Sequence, residues 1–219
     1  MKISKTWMQA ILYTVLFVLL AILLKAVDVQ AIGPEGSSVG FAGLNGFVHE
    51  LWPEGSFWKL LTTLTGIVTI AVMVLFAVIG GWQLYTGKSL QKVDRRILAM
   101  GAVYVVLIVL YIVFDKVVIN YRPVLDEGKL EASYPSTHAM LATAVYGTAI
   151  VLAKDVVTRK KTLKVIVYAC IALLLITVIG RLLSGVHWFT DILGGVFAGL
   201  ALVYWYKAFL EDYNRRLDA

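Results

Sequence analysis

WKLLTTLTGIVTIAVMVLFAVIGGWQ, residues 58–83, is a run in which Lys59 is the only charged side chain. A helix needs about 20 mostly apolar residues to cross the hydrocarbon core of a bilayer. This run is longer than that and lacks the polar–apolar alternation of a half-buried strand. It reads as a membrane-spanning helix. Five more segments read the same way, at roughly 7–27, 97–114, 139–153, 165–183 and 188–209. The fourth span in chain order, 139–153, is short and borrows length from the residues before it. The first follows Lys2 and Lys5 and precedes Val29-Gln30-Ala31, as in a signal peptide, but its apolar stretch is long for that role. The expectation is an all-α integral membrane protein, one domain over 1–219 with six transmembrane helices.

Composition agrees. Of 219 residues, 60% are apolar and 16% charged, with a mean hydropathy of +0.82; soluble domains run at about 45–50% and about 25%. Disorder is excluded and a soluble globule disfavoured. No internal repeat or low-complexity tract is visible. Cys170 stands alone inside an apolar run, which removes intrachain disulfides and Cys-based zinc sites and leaves a packing role.

The net charge of +6 suggests nucleic acid until the charges are located. Segment 28–57 carries Asp28, Glu35, Glu50 and Glu54 and no Lys or Arg. Segment 84–96 carries Lys88, Lys92, Arg95 and Arg96, and segment 154–164 carries Lys154, Arg159, Lys160, Lys161 and Lys164. With Lys2, Lys5, Lys207, Arg215 and Arg216, fourteen of the 20 basic residues fall on one side. The positive-inside rule makes that side cytoplasmic. Both termini are then inside, and loops 28–57, 115–138 and 184–187 face outward. The charge sets topology and is not a nucleic-acid footprint. Trp7, Trp82 and Trp205 sit near inner boundaries and Trp52, Trp58 and Trp188 near outer ones, as aromatic belts do. Phe41–Trp52 is apolar but too short to span, and is expected to lie in the outer interface as an amphipathic piece.

Six basic residues remain on the outer side. Lys25 and Lys59 flank helix ends and read as snorkelling anchors. Lys129 sits among Asp126, Glu127 and Glu131 as a solvated loop charge. Lys116, Arg122 and Arg181 lie at the ends of apolar segments, where a cation is costly and marks function. His138 opens the fourth span after Tyr134-Pro135-Ser136-Thr137, and His187 opens the sixth; His49, in the first outer loop, reads as incidental. Asp191 is four residues after His187, a helical spacing that lets the carboxylate accept from one imidazole nitrogen and fix its tautomer. Two Arg and a Lys suit a phosphate, and Pro135-Ser136-Thr137-His138 leads into a helix whose first N–H groups form a second anion site. A neutral His187 can act as nucleophile and His138 as proton donor. No Cys, His and carboxylate grouping reads as a metal site, so the cations are expected to stabilise the transition-state charge without a metal or cofactor.

These residues resemble the type 2 phosphatidic acid phosphatase (PAP2) family, in its membrane lipid phosphatase branch. That family has Lys before Arg-Pro, then Pro-Ser-Gly-His, then Ser-Arg with His and Asp at fixed spacing. Here the motifs read Lys116 to Arg122-Pro123, Pro135-Ser136-Thr137-His138, and Gly180-Arg181 to His187 to Asp191, from the third span onward. Three positions depart from the pattern. One residue is missing between Lys116 and Arg122, so that Asp115 holds the usual Lys position; Thr137 replaces Gly; and Gly180 replaces Ser.

The resemblance implies a six-helix PAP2/acid-phosphatase-like bundle and a lipid phosphate or pyrophosphate phosphatase. His187 would form a phosphohistidine, oriented by Asp191, while His138 protonates the leaving group. Arg122, Arg181, Lys116, Ser136 and Thr137 would hold the phosphoryl group. Implied substrates are phosphatidic acid, phosphatidylglycerophosphate or undecaprenyl pyrophosphate. The implied location is a bacterial plasma membrane with the site on the extracytoplasmic side. A phosphotransferase with an alcohol acceptor is the nearest alternative. A non-catalytic transporter would call for inverted repeats or mid-membrane breaks, and none is visible. On the sixth span, Gly195 and Gly199 continue the His187–Asp191 stripe and allow close helix approach.

Overall fold

The structure, a computed structural model, describes residues 4–217; Lys2, counted above toward the inner face, lies outside them. Seven helices follow in order: α1 (Lys5–Leu23), α2 (Ala42–Leu51), α3 (Ser56–Gly87), α4 (Arg95–Lys116), α5 (Thr137–Val156), α6 (Lys160–Leu183) and α7 (Phe189–Leu217). Six are long and apolar enough to cross a membrane, and they coincide with the six expected spans. The short fourth span takes in Thr137 and His138 and continues to Val156, giving a 20-residue helix. The amphipathic piece before the second span is α2, ten residues long.

The helices divide by environment. α5 and α7 are buried over more than half of their spanning residues, and the other four spans are largely exposed. α5 packs along α7, α1 covers the other side of α7, and α6 and α3 flank α5. The outer ring presents Val15, Leu64, Ile67, Val78, Val105, Ile112, Val165 and Leu175 outward. Apolar surface on that scale belongs against lipid tails.

Within lipid, helices associate through close packing and polar contacts rather than through the hydrophobic effect. Both devices are present. A Cβ on Gly195 would lie 2.5 Å from Ser136 O, and one on Gly199 would collide with Thr143, so α7 meets α5 along its small-residue stripe as the sequence suggests. Thr177 Oγ1 donates to Thr65 Oγ1 (2.8 Å) between α6 and α3, and Thr69 Oγ1 donates to Tyr146 Oη (2.9 Å) between α3 and α5. At one end of the bundle, Arg96 pairs with Asp94 (2.8 Å) and Asp155 (3.1 Å), joining α4 to α5. Asn214 of α7 donates to the same Asp155 (2.6 Å).

Filling a close approach without relaxation costs about 1–3 kcal/mol. Gly199→Leu is therefore expected to lower the thermal midpoint of the detergent-solubilised protein by several degrees. Gly101→Leu, where a Cβ meets nothing within 4 Å, is expected to leave it nearly unchanged. Scanning calorimetry or intrinsic fluorescence on both variants checks the contrast.

Candidate active site

Three segments converge at the other end of the bundle. The first is the loop between α4 and α5, which folds back on itself through the bridges Tyr121↔Ala132 and Asp126↔Lys129. Arg122 N donates to Glu131 O (3.0 Å) and Ser133 N to Asn120 O (2.9 Å), so Asn120 and Ser133 face each other at the base of this hairpin. The second is the N-terminus of α5, which no side chain caps. The third is the turn from α6 to α7. Gly185 is in the left-handed region (φ +66°), and a Cβ there would lie 2.7 Å from Glu54 N. Only glycine lets the turn press against segment 53–55, where Gly55 N donates to Ser184 O (3.1 Å).

At their junction lies Asp191, fully buried in the first turn of α7. Its carboxylate accepts from Asn120 Nδ2 (3.2 Å), Trp188 N (3.0 Å) and Ser133 Oγ, the last a short bond. Its backbone carbonyl accepts from Ser136 N (2.8 Å), tying the start of α5 to the start of α7. The i, i+4 spacing predicts a direct bond from His187 to Asp191, and the structure differs. α7 starts at Phe189, so His187 precedes the helix, and Asp191 Oδ2 turns back to the Trp188 amide as a capping carboxylate does. Ser133 Oγ fills the gap, 3.0 Å from His187 Nδ1.

Six buried side-chain polar atoms lack a partner among the described residues. Five belong to motif residues: Arg122 Nε, Ser136 Oγ, His138 Nδ1, Arg181 Nε and His187 Nε2. Buried polar groups left unpaired are rare, and several from one set of residues ask for a missing ligand. Two guanidiniums, a hydroxyl and a helix N-terminus make an anion site. Burial first, and then the Arg181 and Arg122 charges, hold the His187 imidazole well below its ordinary range, which favours the uncharged ring.

The other expected residues fall into place unevenly. Arg181, 4% exposed, ends α6 and donates through Nη1 to Thr62 Oγ1 (3.3 Å). A Cβ on Gly180 would lie 2.6 Å from Thr62 Cγ2, so Thr62 takes the room a serine would need there and supplies a hydroxyl to Arg181 instead. Arg122 pairs outward with Asp126 (2.9 Å) and Glu131 (3.2 Å). Thr137 and His187 line a cavity of about 520 Å³ together with Tyr111, Tyr121 and Arg122. Lys116 reaches the rim of that cavity, but its side chain is 78% exposed and bonded to Asp115 (2.7 Å). His138 packs on Gly66, where a Cβ would lie 2.9 Å from its ring. His49 is less incidental than its position suggests, because its ring stacks edge-on against Trp188 with centroids 5.4 Å apart. The sequence does not mark Asn120, Ser133 or Thr62: two are small polar residues of a loop and the third is one of several threonines inside α3, and no pattern sets them apart.

The family model described as the PAP2 superfamily matches residues 99–215. Phosphatidylglycerophosphatase B of Bacillus subtilis (strain 168) is 26% identical over 205 residues, which cover 91% of this chain and 95% of that protein. A crystal structure described as the first transmembrane PAP2-type phosphatidylglycerolphosphate phosphatase from Bacillus subtilis matches with a TM-score of 0.64. It covers 93% of this chain and 96% of its own at 22% identity, a likeness of fold.

A planar guanidinium holding an oxyanion is not replaced by an ammonium. Arg181→Lys is expected to weaken binding of inorganic phosphate by about tenfold, or about 1.4 kcal/mol. Lys116→Ala, at an exposed pair, should change it by less than about twofold. Thermal-shift titration with phosphate measures both.

Proposed function

The chain belongs to the PAP2 superfamily, and from that premise we propose that it is a membrane-embedded phosphatase of lipid phosphates or pyrophosphates. The reading is carried by the five unpartnered polar atoms on Arg122, Ser136, His138, Arg181 and His187. Together they match the needs of a phosphoryl group under attack.

In the proposed reaction, Arg122, Arg181, Ser136 and the first amides of α5 hold the phosphoryl oxygens. Thr137 and Lys116 contribute from the cavity wall and rim. His187 Nε2 attacks phosphorus as the bond to the leaving oxygen breaks, and His138 gives that oxygen a proton. Water then attacks the phosphohistidine, with His138 taking its proton, and phosphate leaves. The guanidiniums meet the developing charge, so a metal ion is not required. Tyr111, Thr137 and Met140 line both the polar cavity and an apolar groove of about 430 Å³ between α3 and α4, which Ile67, Ile70 and Ile108 also line. A polar chamber that shares a wall with an apolar groove suits an amphiphile with its phosphate at headgroup depth and its tails in lipid.

Phosphatidylglycerophosphate heads the substrate panel because the Bacillus subtilis relative is named for it. Phosphatidic acid and undecaprenyl pyrophosphate complete it. The site is proposed to face the extracytoplasmic side of a bacterial plasma membrane, on the charge asymmetry of the loops.

Purified protein with chelator present is expected to release phosphate from at least one panel lipid. His187→Ala should reduce kcat by ~10⁴-fold or more and His138→Ala by ~10²–10⁴-fold. Unchanged turnover in His187→Ala, or abolition by chelator, contradicts the mechanism. In a Cys170→Ala background, Glu127→Cys should react with an impermeant maleimide in intact cells and Lys160→Cys should not; the reverse pattern contradicts the sidedness.

A further inference from the structure

We infer that Ser133 is a positioning residue that sets the tautomer of His187, an inference that rests on the proposal that His187 is the nucleophile. Ser133 is buried in the hairpin base, 2% exposed, between the carboxylate and the imidazole. Its hydroxyl has one hydrogen to give. On one side is Asp191 Oδ2, whose carboxylate already accepts from Asn120 Nδ2 and Trp188 N. A carboxylate gathering donors takes the hydroxyl hydrogen as well. What Ser133 Oγ then offers His187 Nδ1, at 3.0 Å, is a lone pair. That contact is a hydrogen bond only when Nδ1 carries the imidazole proton.

The consequence lies on the other side of the ring. A neutral imidazole protonated at Nδ1 has a bare Nε2. Nε2 is the buried, unpartnered atom of His187. In the other tautomer Nε2–H would meet the phosphate and could not attack phosphorus. Ser133 thus does what the helical spacing assigns to Asp191 alone, with the carboxylate one hydroxyl away. During the proposed transfer the Nε2–P bond forms, the bond from phosphorus to the leaving oxygen breaks, and that oxygen takes its proton from His138. The proton on Nδ1 stays in place. The positive charge growing on the ring is met through Nδ1–H···Oγ–H···Oδ2, with no proton crossing to Asp191.

Removing such an imidazole partner commonly costs ~10–100-fold in activity. Ser133→Ala is expected to lower kcat in that range while KM for the lipid phosphate stays within about twofold, because the oxyanion donors are untouched. Ser133→Thr, which keeps the hydroxyl, is expected to recover most of the loss. Nitrogen-15 spectra of imidazole-labelled wild-type protein, with His187 assigned by its absence in His187→Ala, should show a protonated Nδ1 and a bare Nε2. Wild-type kcat in Ser133→Ala, or an Nε2–H tautomer in the wild-type protein, overturns the inference. The spectrum decides alone where Ser133→Ala does not fold. A fully active His187→Ala instead overturns the nucleophile assignment on which the inference rests, and the two failures are read from different variants.

Discussion

A carboxylate out of reach of water has to be surrounded by donors, and that requirement at Asp191 organises the end of the molecule where the site lies. Its side chain draws in Asn120 and Ser133 from the hairpin base and the Trp188 amide from its own helix start. Its carbonyl holds Ser136 at the entrance of α5. One residue therefore registers three segments against each other, and the segments carry Arg122, His138 and His187. A further layer locks it: Asn120 accepts from Gly40 N (3.3 Å), and Asn45 of α2 accepts from Thr190 N (3.1 Å) and donates to Thr190 Oγ1 (2.9 Å). Leaving one such buried group unsatisfied costs about 1–3 kcal/mol, and more beside a charge. The short helix α2 is in this sense part of the site's support.

The membrane portion serves that end. α5 and α7 form a buried pair, and small residues at Gly195 and Gly199 let them meet closely enough for Asp191 to reach Ser136. Threonine hydroxyls join α3 and α6 just below Arg181, and Thr62 orients the guanidinium itself. Arg122 is paired with Asp126 and Glu131 and Arg181 with Thr62, and each keeps its Nε without a partner among the described residues.

Much of this was legible in the sequence, for identifiable reasons. Apolar runs give spans directly, because lipid demands helices whose backbone groups are satisfied internally. His138, His187, Asp191, Arg122 and Arg181 stood out because ionisable groups beside apolar runs are expensive and rare. The link between His187 and Asp191 did not read correctly. Spacing assumes that both residues lie on one helix, and the helix begins two residues too late for that. Position at the end of an apolar segment and motif order both group Lys116 with the phosphate cations, and the structure puts it at the rim on Asp115. Ser133 and Asn120 were invisible because their importance comes from a hairpin closure, which no short-range pattern encodes. The glycine at 180 becomes intelligible only once Thr62, far away in the chain, is seen against it.

The central claim is that the imidazole of His187 takes the phosphoryl group. Alkaline quenching of the purified protein during turnover of a lipid labelled in its terminal phosphate, followed by peptide mass spectrometry, tests it most directly. A covalent phosphate on His187 is expected, stable in alkali and lost in acid, that forms and decays as fast as turnover requires. Full turnover with no label on His187, or with label on another side chain, would contradict it.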